Sequence, residues 1–320
     1  MKQLNNILCA LTPSEKCRTA LERAVTLVEN NQARLTVVDI IEPVTAGIGM
    51  PEGGPISNDL HDAVKSDRLN ALESFTAPYR EWIDIRHDVF TTPGFLAIVR
   101  AVLRDRYDLV IKLAEDPDYM DRLFGSDDMQ LLRKCPCPVW LMQPVEKSNY
   151  ATVMAAVDFD PMQPETVGQR LNMDILELAS SLALSDFAAL HVVHVWDVPE
   201  LGFVELWSDS PEAARSNLLQ AANANHENSM QILRQKLRDQ LGQETYQYLS
   251  PKFHTLKGSA KTVIPRMAEQ LQVDLVVMGT VARTGIAGFL IGNTAEAILD
   301  QLKCSVLALK PPGFVTSVES

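Results

Sequence analysis

"DLVVMGTVARTGIAGFLIGNTAE", Asp274 to Glu296, decides the fold. It opens on a short apolar run, passes four glycines (Gly279, Gly285, Gly288 and Gly292) and leaves through a helix-forming segment. A continuous apolar run such as "LVVM" suits a strand buried on both faces of a parallel sheet. Glycines let a backbone approach an anion and aim N–H groups at it. A helix starting near Asn293 or Thr294 would add the positive end of its dipole.

The same unit occurs earlier in the chain. "DLVIKLA" (Asp108–Ala114) resembles "DLVVMGT" (Asp274–Thr280), and "LLRKCPCPVWLM" (Leu131–Met142) aligns without gaps to "ILDQLKCSVLAL" (Ile298–Leu309). "NILCALT" (Asn6–Thr12) matches "TVMAAVD" (Thr152–Asp158). Any one pair is weak evidence, but three in the same order establish a duplication. The first copy reads as strands Ile7–Leu11, Leu35–Ile40, Asp84–Phe90, Leu109–Leu113 and Val139–Met142, separated by helices. The second reads as strands Thr152–Val157, Ala188–Val195, Tyr246–Leu256, Leu275–Met278 and Val306–Leu309. Its helices are Leu171–Ser185, Pro211–Leu241, Val263–Leu271 and Thr294–Leu302. Thr262 is the expected N-cap of the third, which would put Pro265 in a first turn where its missing N–H costs nothing. Strands alternating with helices predict an α/β fold with a parallel sheet covered on both faces. The expected domains are residues 1–145 and 150–312, joined by the polar linker Gln143–Tyr150. Two long loops, Pro43–Asp59 and Asp197–Glu212, follow the second strand of their copies and are candidates for covering a ligand or partner.

With 29 Lys+Arg against 41 Asp+Glu, the net charge is −12, which argues against nucleic acid and anionic membrane as partners. Five cysteines, an odd number in a long chain, fit a reducing compartment better than a disulfide framework. The first residues are too polar for a signal h-region, and no apolar run approaches a membrane span. A soluble, cytoplasmic protein is expected.

Ligands of open parallel sheets bind beyond the carboxyl ends of the strands. In the second copy those ends are Asp158, Gly279 and the "HVWD" stretch, His194–Asp197. Neither G-x-x-x-x-G-K-[ST], G-x-G-x-x-G nor G-x-S-x-G occurs, so the common phosphate loops and the nucleophile elbow are excluded.

The layout resembles a tandem universal stress protein of the UspA superfamily. Asp274–Pro311 and "DRLFGSDDMQLLRKCPCPVWLM" in the first half look most like its E-type members. The resemblance covers nearly the whole chain. It implies two tandem Rossmann-like domains of the adenine nucleotide alpha hydrolase-like kind, each a five-stranded parallel sheet with helices on both faces. It also implies a stress-response binding protein with a role in stress or DNA-damage resistance and no defined reaction. In ATP-binding members the loop reads G-x-x-G, nine residues, then G-[ST]. Gly279 and Gly292 match that pattern, whereas Ala282 replaces its second glycine and Asn293 its hydroxyl residue. By the same similarity Asp158 and Val195 flank adenine, Gly279 lies by the ribose, and Ala282, Gly292, Asn293 and Thr294 line the phosphates. ATP or another adenine nucleotide is the implied ligand. Ala282 adds a methyl that would strain a positive-φ position by about 1–2 kcal/mol. Asn293 can still donate through its amide or cap the helix. An apolar-ligand carrier or scaffold is the alternative, motivated by Leu201, Phe203, Leu206 and Trp207 in the long loop, and a slow ATPase is the third reading. The two copies are expected to form an intramolecular pseudo-dimer, with Val139–Met142 and Val306–Leu309 as contact strands and a homodimer as a further assembly.

The first copy departs further. Thr12 replaces Asp158, and Leu113, Ala114, Glu115 and Asp116 stand in for the glycine motif, leaving only Gly125 and Ser126. No nucleotide is expected there. "CPC", Cys135–Cys137, has no second pair for a zinc site and reads as a structural corner. His191 and His194 fall on opposite faces of their strand, so they cannot easily share a metal, and His194 reads as a satisfied core or rim histidine. No metal site and no catalytic constellation emerge from the sequence.

Overall fold

The computed structural model describes residues 4–41, 55–91, 93–114, 127–143, 147, 149–161, 167–198, 210–280 and 291–319. Ala282, Glu115, Asp116, Gly125, Ser126 and most of the two long loops lie outside the described residues.

Both halves follow the expected β–α alternation. The first contains β1 (Asn6–Ala10), α1 (Arg18–Asn31), β2 (Arg34–Ile40), α2 (Pro55–Thr76), β3 (Ile85–Phe90), α3 (Gly94–Asp105), β4 (Leu109–Leu113), α4 (Asp127–Lys134) and β5 (Val139–Met142). The second contains β6 (Thr152–Val157), α5 (Val167–Asp186), β7 (Ala189–Trp196), α6 (Pro211–Leu241), α7 (Gln243–Leu249), β8 (Lys252–Lys257), α8 (Ala260–Gln270), β9 (Leu275–Gly279), α9 (Asn293–Leu299) and β10 (Ser305–Leu309).

Contacts group the chain into two compact units. One comprises Asn149–Thr284 and Gly292–Cys304; the other takes in Lys2–Ser148 and Ser305–Ser320. In the first-half unit the order is β3-β2-β1-β4-β5, all parallel, with β10 added antiparallel on β5 through Leu307↔Trp140. In the second-half unit the order is β9-β6-β7-β8, all parallel. Ile7, Leu8, Leu109 and Ile111 in one unit, and Val153, Met154, Val276 and Val277 in the other, are almost wholly buried, as strands covered on both faces require.

The duplication is visible in the hydrogen bonds. Asp108 Oδ2 accepts from the N–H groups of Asn5 and Asn6 at 2.7 and 3.0 Å; Asp274 Oδ2 accepts from Ala151 and Thr152 at the same two distances. The aspartate of each "DLV" therefore anchors the start of the first strand to that of the fourth. Helix-to-strand corners are closed alike as well. Gln32, Phe187 and Gln272 take left-handed backbone angles, and the next N–H reaches five residues back: Ala33 to Val28, Ala188 to Ala183, Val273 to Ala268.

Two expected elements differ. The segment from Tyr246 is not one long strand. Gly242 (φ 77°) ends α6 and starts α7, Ser250 (φ 44°) ends α7, and β8 begins only after Pro251. Aromatic alternation in "YQYL" looks like a strand, but Tyr246 and Leu249 are buried at helical spacing. In addition, α8 begins at Ala260 with Ser259 as N-cap, so Pro265 lies inside it rather than in its first turn. The proline removes the N–H that Lys261 C=O would accept, and Gln301 Nε2 donates to that carbonyl instead at 3.0 Å.

Candidate functional site

Register fixes the neighbourhood. Val157 lies opposite His194 and Ala156 opposite Met278, so Asp158, Val195 and Gly279 emerge side by side at the carboxyl end of the sheet. The far end of the glycine-rich segment returns to the same place, because Gly292 N–H donates to Thr280 C=O at 2.8 Å. Gly292 (φ −68°, ψ 142°) is the N-cap of α9, and Asn293 is its first helical residue. The expected capping role of Asn293 is thus taken by glycine, and the amide is left exposed beside Thr294. α9 spans only seven residues, so its dipole contributes little to an anion site. Six of the seven sequence-derived residues, Asp158, Val195, Gly279, Gly292, Asn293 and Thr294, come together; Ala282 lies outside the described residues.

Two residues of α5 shape this crevice. Asn172, 3% exposed, clamps the backbone of Asp158: its Oδ1 accepts from Asp158 N–H at 3.0 Å and its Nδ2 donates to Asp158 C=O at 2.8 Å. An amide does this with one donor and one acceptor in one plane, and without carrying charge. The preceding residue, Leu171, packs over Gly279. A Cβ at 279 would sit 2.7 Å from Leu171 Cδ2, so any larger residue there requires the Leu171 side chain to shift, and no positive φ is involved. In the sequence Asn172 is one of two amides in the first part of α5, with Gln169, and nothing local distinguishes it.

A further cluster was not anticipated. Phe159 stacks on His194 with ring centroids 3.7 Å apart, and Trp196 lies nearly parallel to His226 of α6 at 5.1 Å. His194 is fully buried; its Nδ1 lies 3.2 Å from Val157 C=O and its Nε2 lies 2.9 Å from His226 Nδ1. A carbonyl only accepts, so His194 carries its proton on Nδ1 and offers Nε2 as an acceptor; His226 Nδ1 is then the donor. On the other face of β7, His191 Nδ1 meets His254 Nε2 of β8 at 3.0 Å. His226 and His254 lie 32 and 63 residues away from their partners, which hid both pairs in the sequence.

The equivalent region of the first copy is satisfied internally. Thr12 Oγ1 donates to the buried Asp39 at 2.8 Å, and Arg68 of α2 approaches the other carboxylate oxygen at 3.7 Å. Lys112, at the end of β4, pairs with Asp128 in the first turn of α4. Asp127 beside it accepts from Phe95 N–H at 3.4 Å. Carboxylates and their partners hold the ground where glycines and exposed donors stand in the second copy.

A doubled α/β chain in which parallel strands alternate with helices in each copy defines a tandem Rossmann-like class. The family model described as "Universal stress protein family" matches residues 3–143 and 149–310, and the chain belongs to that family. It is 29% identical over 330 residues to "Universal stress protein E" of Photorhabdus laumondii, covering 100% of this chain and 99% of that one. It is 30% identical to the protein of the same name from Escherichia coli K12, with 100% and 98% covered. Among solved structures, a functionally unknown protein from Pseudomonas aeruginosa PAO1 superposes with a TM-score of 0.66 at 25% identity, over 96% of this chain and 93% of that one. A universal stress protein from Archaeoglobus fulgidus shares the fold with a TM-score of 0.60 at 15% identity, over 97% of both chains. No helix among the described residues is long and apolar enough to cross a membrane.

Proposed function

We propose that this chain is a cytoplasmic stress-response binding protein whose second half holds an adenine nucleotide, ATP or a relative of it, at the carboxyl ends of β6, β7 and β9. The observation that carries this reading is the convergence of Asp158, Val195, Gly279 and Gly292–Thr294, with exposed Asp158, Asn293 and Thr294 around a backbone fixed by Asn172. These residues fit a nucleotide chemically. A carboxylate can accept from an amino group or a ribose hydroxyl, and the Asn293 amide and Thr294 hydroxyl can donate to phosphate oxygens. The chain's own contribution is to bind and orient. The relatives' shared name, universal stress protein E, supports a role in the stress response, and resistance to DNA damage is one form that we propose this role takes.

The first copy acts as a scaffold in this reading, since Lys112–Asp128 and Thr12–Asp39–Arg68 already neutralise its strand ends. The test is to purify the protein without added nucleotide and identify released small molecules by mass spectrometry, then to titrate ATP by calorimetry. Released ATP or AMP supports the proposal, and an apolar ligand would favour a carrier. An empty protein that gives no ATP heat sinks it. Restoring the family residues, Ala282→Gly with Asn293→Ser, is expected to raise ATP affinity.

A further inference from the structure

Four of the chain's six histidines meet in two dyads on one strand, β7. In each dyad the bonded nitrogens are 3.0 or 2.9 Å apart while the ring centroids are 5.1 or 5.0 Å apart. Rings so placed meet tip to tip through one N–H···N bond, not face to face. His194–His226 ties β7 to α6, and His191–His254 ties β7 to β8 on the opposite face.

Each tie reaches an element that is little buried. β8 lies at the outer end of the order β9-β6-β7-β8, and none of its residues is buried. In α6 no residue from Pro211 to Ser229 is buried; its buried residues are Met230, Leu233 and Leu237. His226 is therefore where the amino-terminal part of a 31-residue helix meets the strand ends.

An N–H···N bond between imidazoles survives one added proton. A second puts hydrogen on both facing nitrogens and two positive charges about 3 Å apart, which turns the bond into a repulsion. We infer that β7 is an acid-operated clamp: protonation of its two histidine dyads releases β8 on one face and the amino-terminal half of α6 on the other.

The charges around the dyads favour this direction on the β8 side. Burial, then His254, then Lys252 hold His191 neutral down to about 4, and burial and Lys252 lower His254 too. Met154, opposite His191 on β6, is apolar. The inner face of α8 is apolar as well (Val263, Ile264, Met267, Ala268), whereas its Lys261, Arg266 and Glu269 are turned outward. Among the described residues on these faces, no carboxylate compensates the cation. Around His226 the enclosing side chains are Phe159 and Trp196; the ionisable neighbours in the chain are Asp158 and Asp160 at the end of β6, Asp197 after β7, and Glu227 on α6. Whatever these groups contribute, hydrogen on both facing nitrogens removes the N–H···N bond.

The clamp is tested on the full-length protein without ligand, by hydrogen exchange followed by mass spectrometry at pH 7 and pH 4.5, corrected for intrinsic rates. Peptides covering Lys252–Lys257 and Pro211–Ser229 should lose about tenfold protection or more at the lower pH, with β1 and β2 as the internal reference. His254→Gln should reduce the loss in β8 alone, and His226→Gln the loss in α6 alone, because glutamine keeps a hydrogen bond and removes the second proton, while the remaining buried histidine still titrates. Equal losses in variant and wild type overturn the inference, as does wild-type protection that stays level. Histidine NMR on the wild-type protein needs no variant: Nδ1-protonated tautomers for His194 and His226 at pH 7 are expected, and the opposite tautomers would refute the arrangement.

Discussion

Replacing Asn172 by aspartate changes one NH₂ into an oxygen at the point where the crevice is braced. The wild-type amide gives Asp158 one acceptor and one donor, at 3.0 and 2.8 Å. In the Asn172→Asp variant an ionised side chain keeps the acceptor but leaves Asp158 C=O facing a carboxylate oxygen, at a position that is 3% exposed. An unsatisfied buried acceptor costs about 1–3 kcal/mol, and an uncompensated buried charge costs more. The expected loss is about 3–4 kcal/mol at pH 7, or several hundredfold in the folding equilibrium. A protonated carboxylic acid, however, again has one donor and one acceptor. Burial and the facing carbonyl both raise the folded-state titration of the introduced carboxyl. A carboxyl raised above its unfolded value weakens the fold as pH rises through the ordinary carboxylate range, and that penalty fades as pH falls back.

Urea denaturation at several pH values, with wild type as the reference at each, reads this directly. Asn172→Asp should approach wild type by about 1–3 kcal/mol between pH 7 and pH 4. Asn172→Ala, which lacks both groups, should show a difference from wild type that does not vary with pH. If both variants show the same pH dependence, the clamp does not operate through the two hydrogen bonds to Asp158. The same variants separate bracing from folding alone. A braced Asp158 is part of the proposed nucleotide site, so ATP affinity measured in conditions where both proteins are fully folded should fall in each.

Gly279→Ala should destabilise by about 1–3 kcal/mol, because its Cβ would press on Leu171 Cδ2. In a double-mutant cycle with Leu171→Ala the two changes should couple by about 1 kcal/mol or more, whereas additivity would show that Leu171 is not the obstacle. Acid should weaken the fold between pH 6.5 and about 4, since unfolded His191 takes up a proton that the folded one refuses. At about 1.4 kcal/mol per pH unit the upper bound is near 3 kcal/mol, and His191→Gln should flatten the profile by up to that amount in pH-resolved denaturation. Gln301→Ala should cost about 0.5–1 kcal/mol but almost nothing in a Pro265→Ala background, where residue 265 again donates to Lys261 C=O; equal costs in both backgrounds would refute that compensation. Lys310 is held down to about 8, chiefly by burial, so Lys310→Met should be neutral or stabilising by about 1–2 kcal/mol at pH 7 in thermal unfolding.

The fold is legible because its signals are local. Continuous apolar runs mark buried strands, and α6 falls on Pro211–Leu241, where the sequence places it. The "YQYL" segment misleads because aromatic alternation imitates a strand over a span too short for a helical period to declare itself, while Gly242 and Ser250 settle the matter through backbone angle. The site is half legible. Asp158, Gly279 and Gly292 lie at strand and helix ends that any α/β reading points to. Asn172, His226 and His254 act across 14, 32 and 63 residues, and nothing local marks which amide or imidazole will face which. Gly279 carries a different lesson. The resemblance places Gly279 beside a ribose, and the structure adds that Leu171 packs against the same backbone.

The two copies give different answers to one structural problem. A parallel sheet ends in strand termini whose peptide groups and crevice must be satisfied by side chains, by a ligand or by water. In the first copy the residues at the end of β2 and β4 are ionic, and each finds a partner within the chain: Asp39 takes Thr12 and Arg68, and Lys112 takes Asp128. Breaking either by removing one partner would strand a buried charge, so that end of the sheet is committed to itself. In the second copy the corresponding position on β7 is His194, a neutral group that bonds one carbonyl and one imidazole. Asp158 is held through its backbone by Asn172, which leaves its carboxylate exposed. The internal partners at this end of the second copy are therefore neutral, and the carboxylate, amide and hydroxyl groups of Asp158, Asn293 and Thr294 stand at the exposed rim. The first copy thus closes its strand ends with ion pairs, whereas the second closes the corresponding position on β7 with a pair of imidazoles.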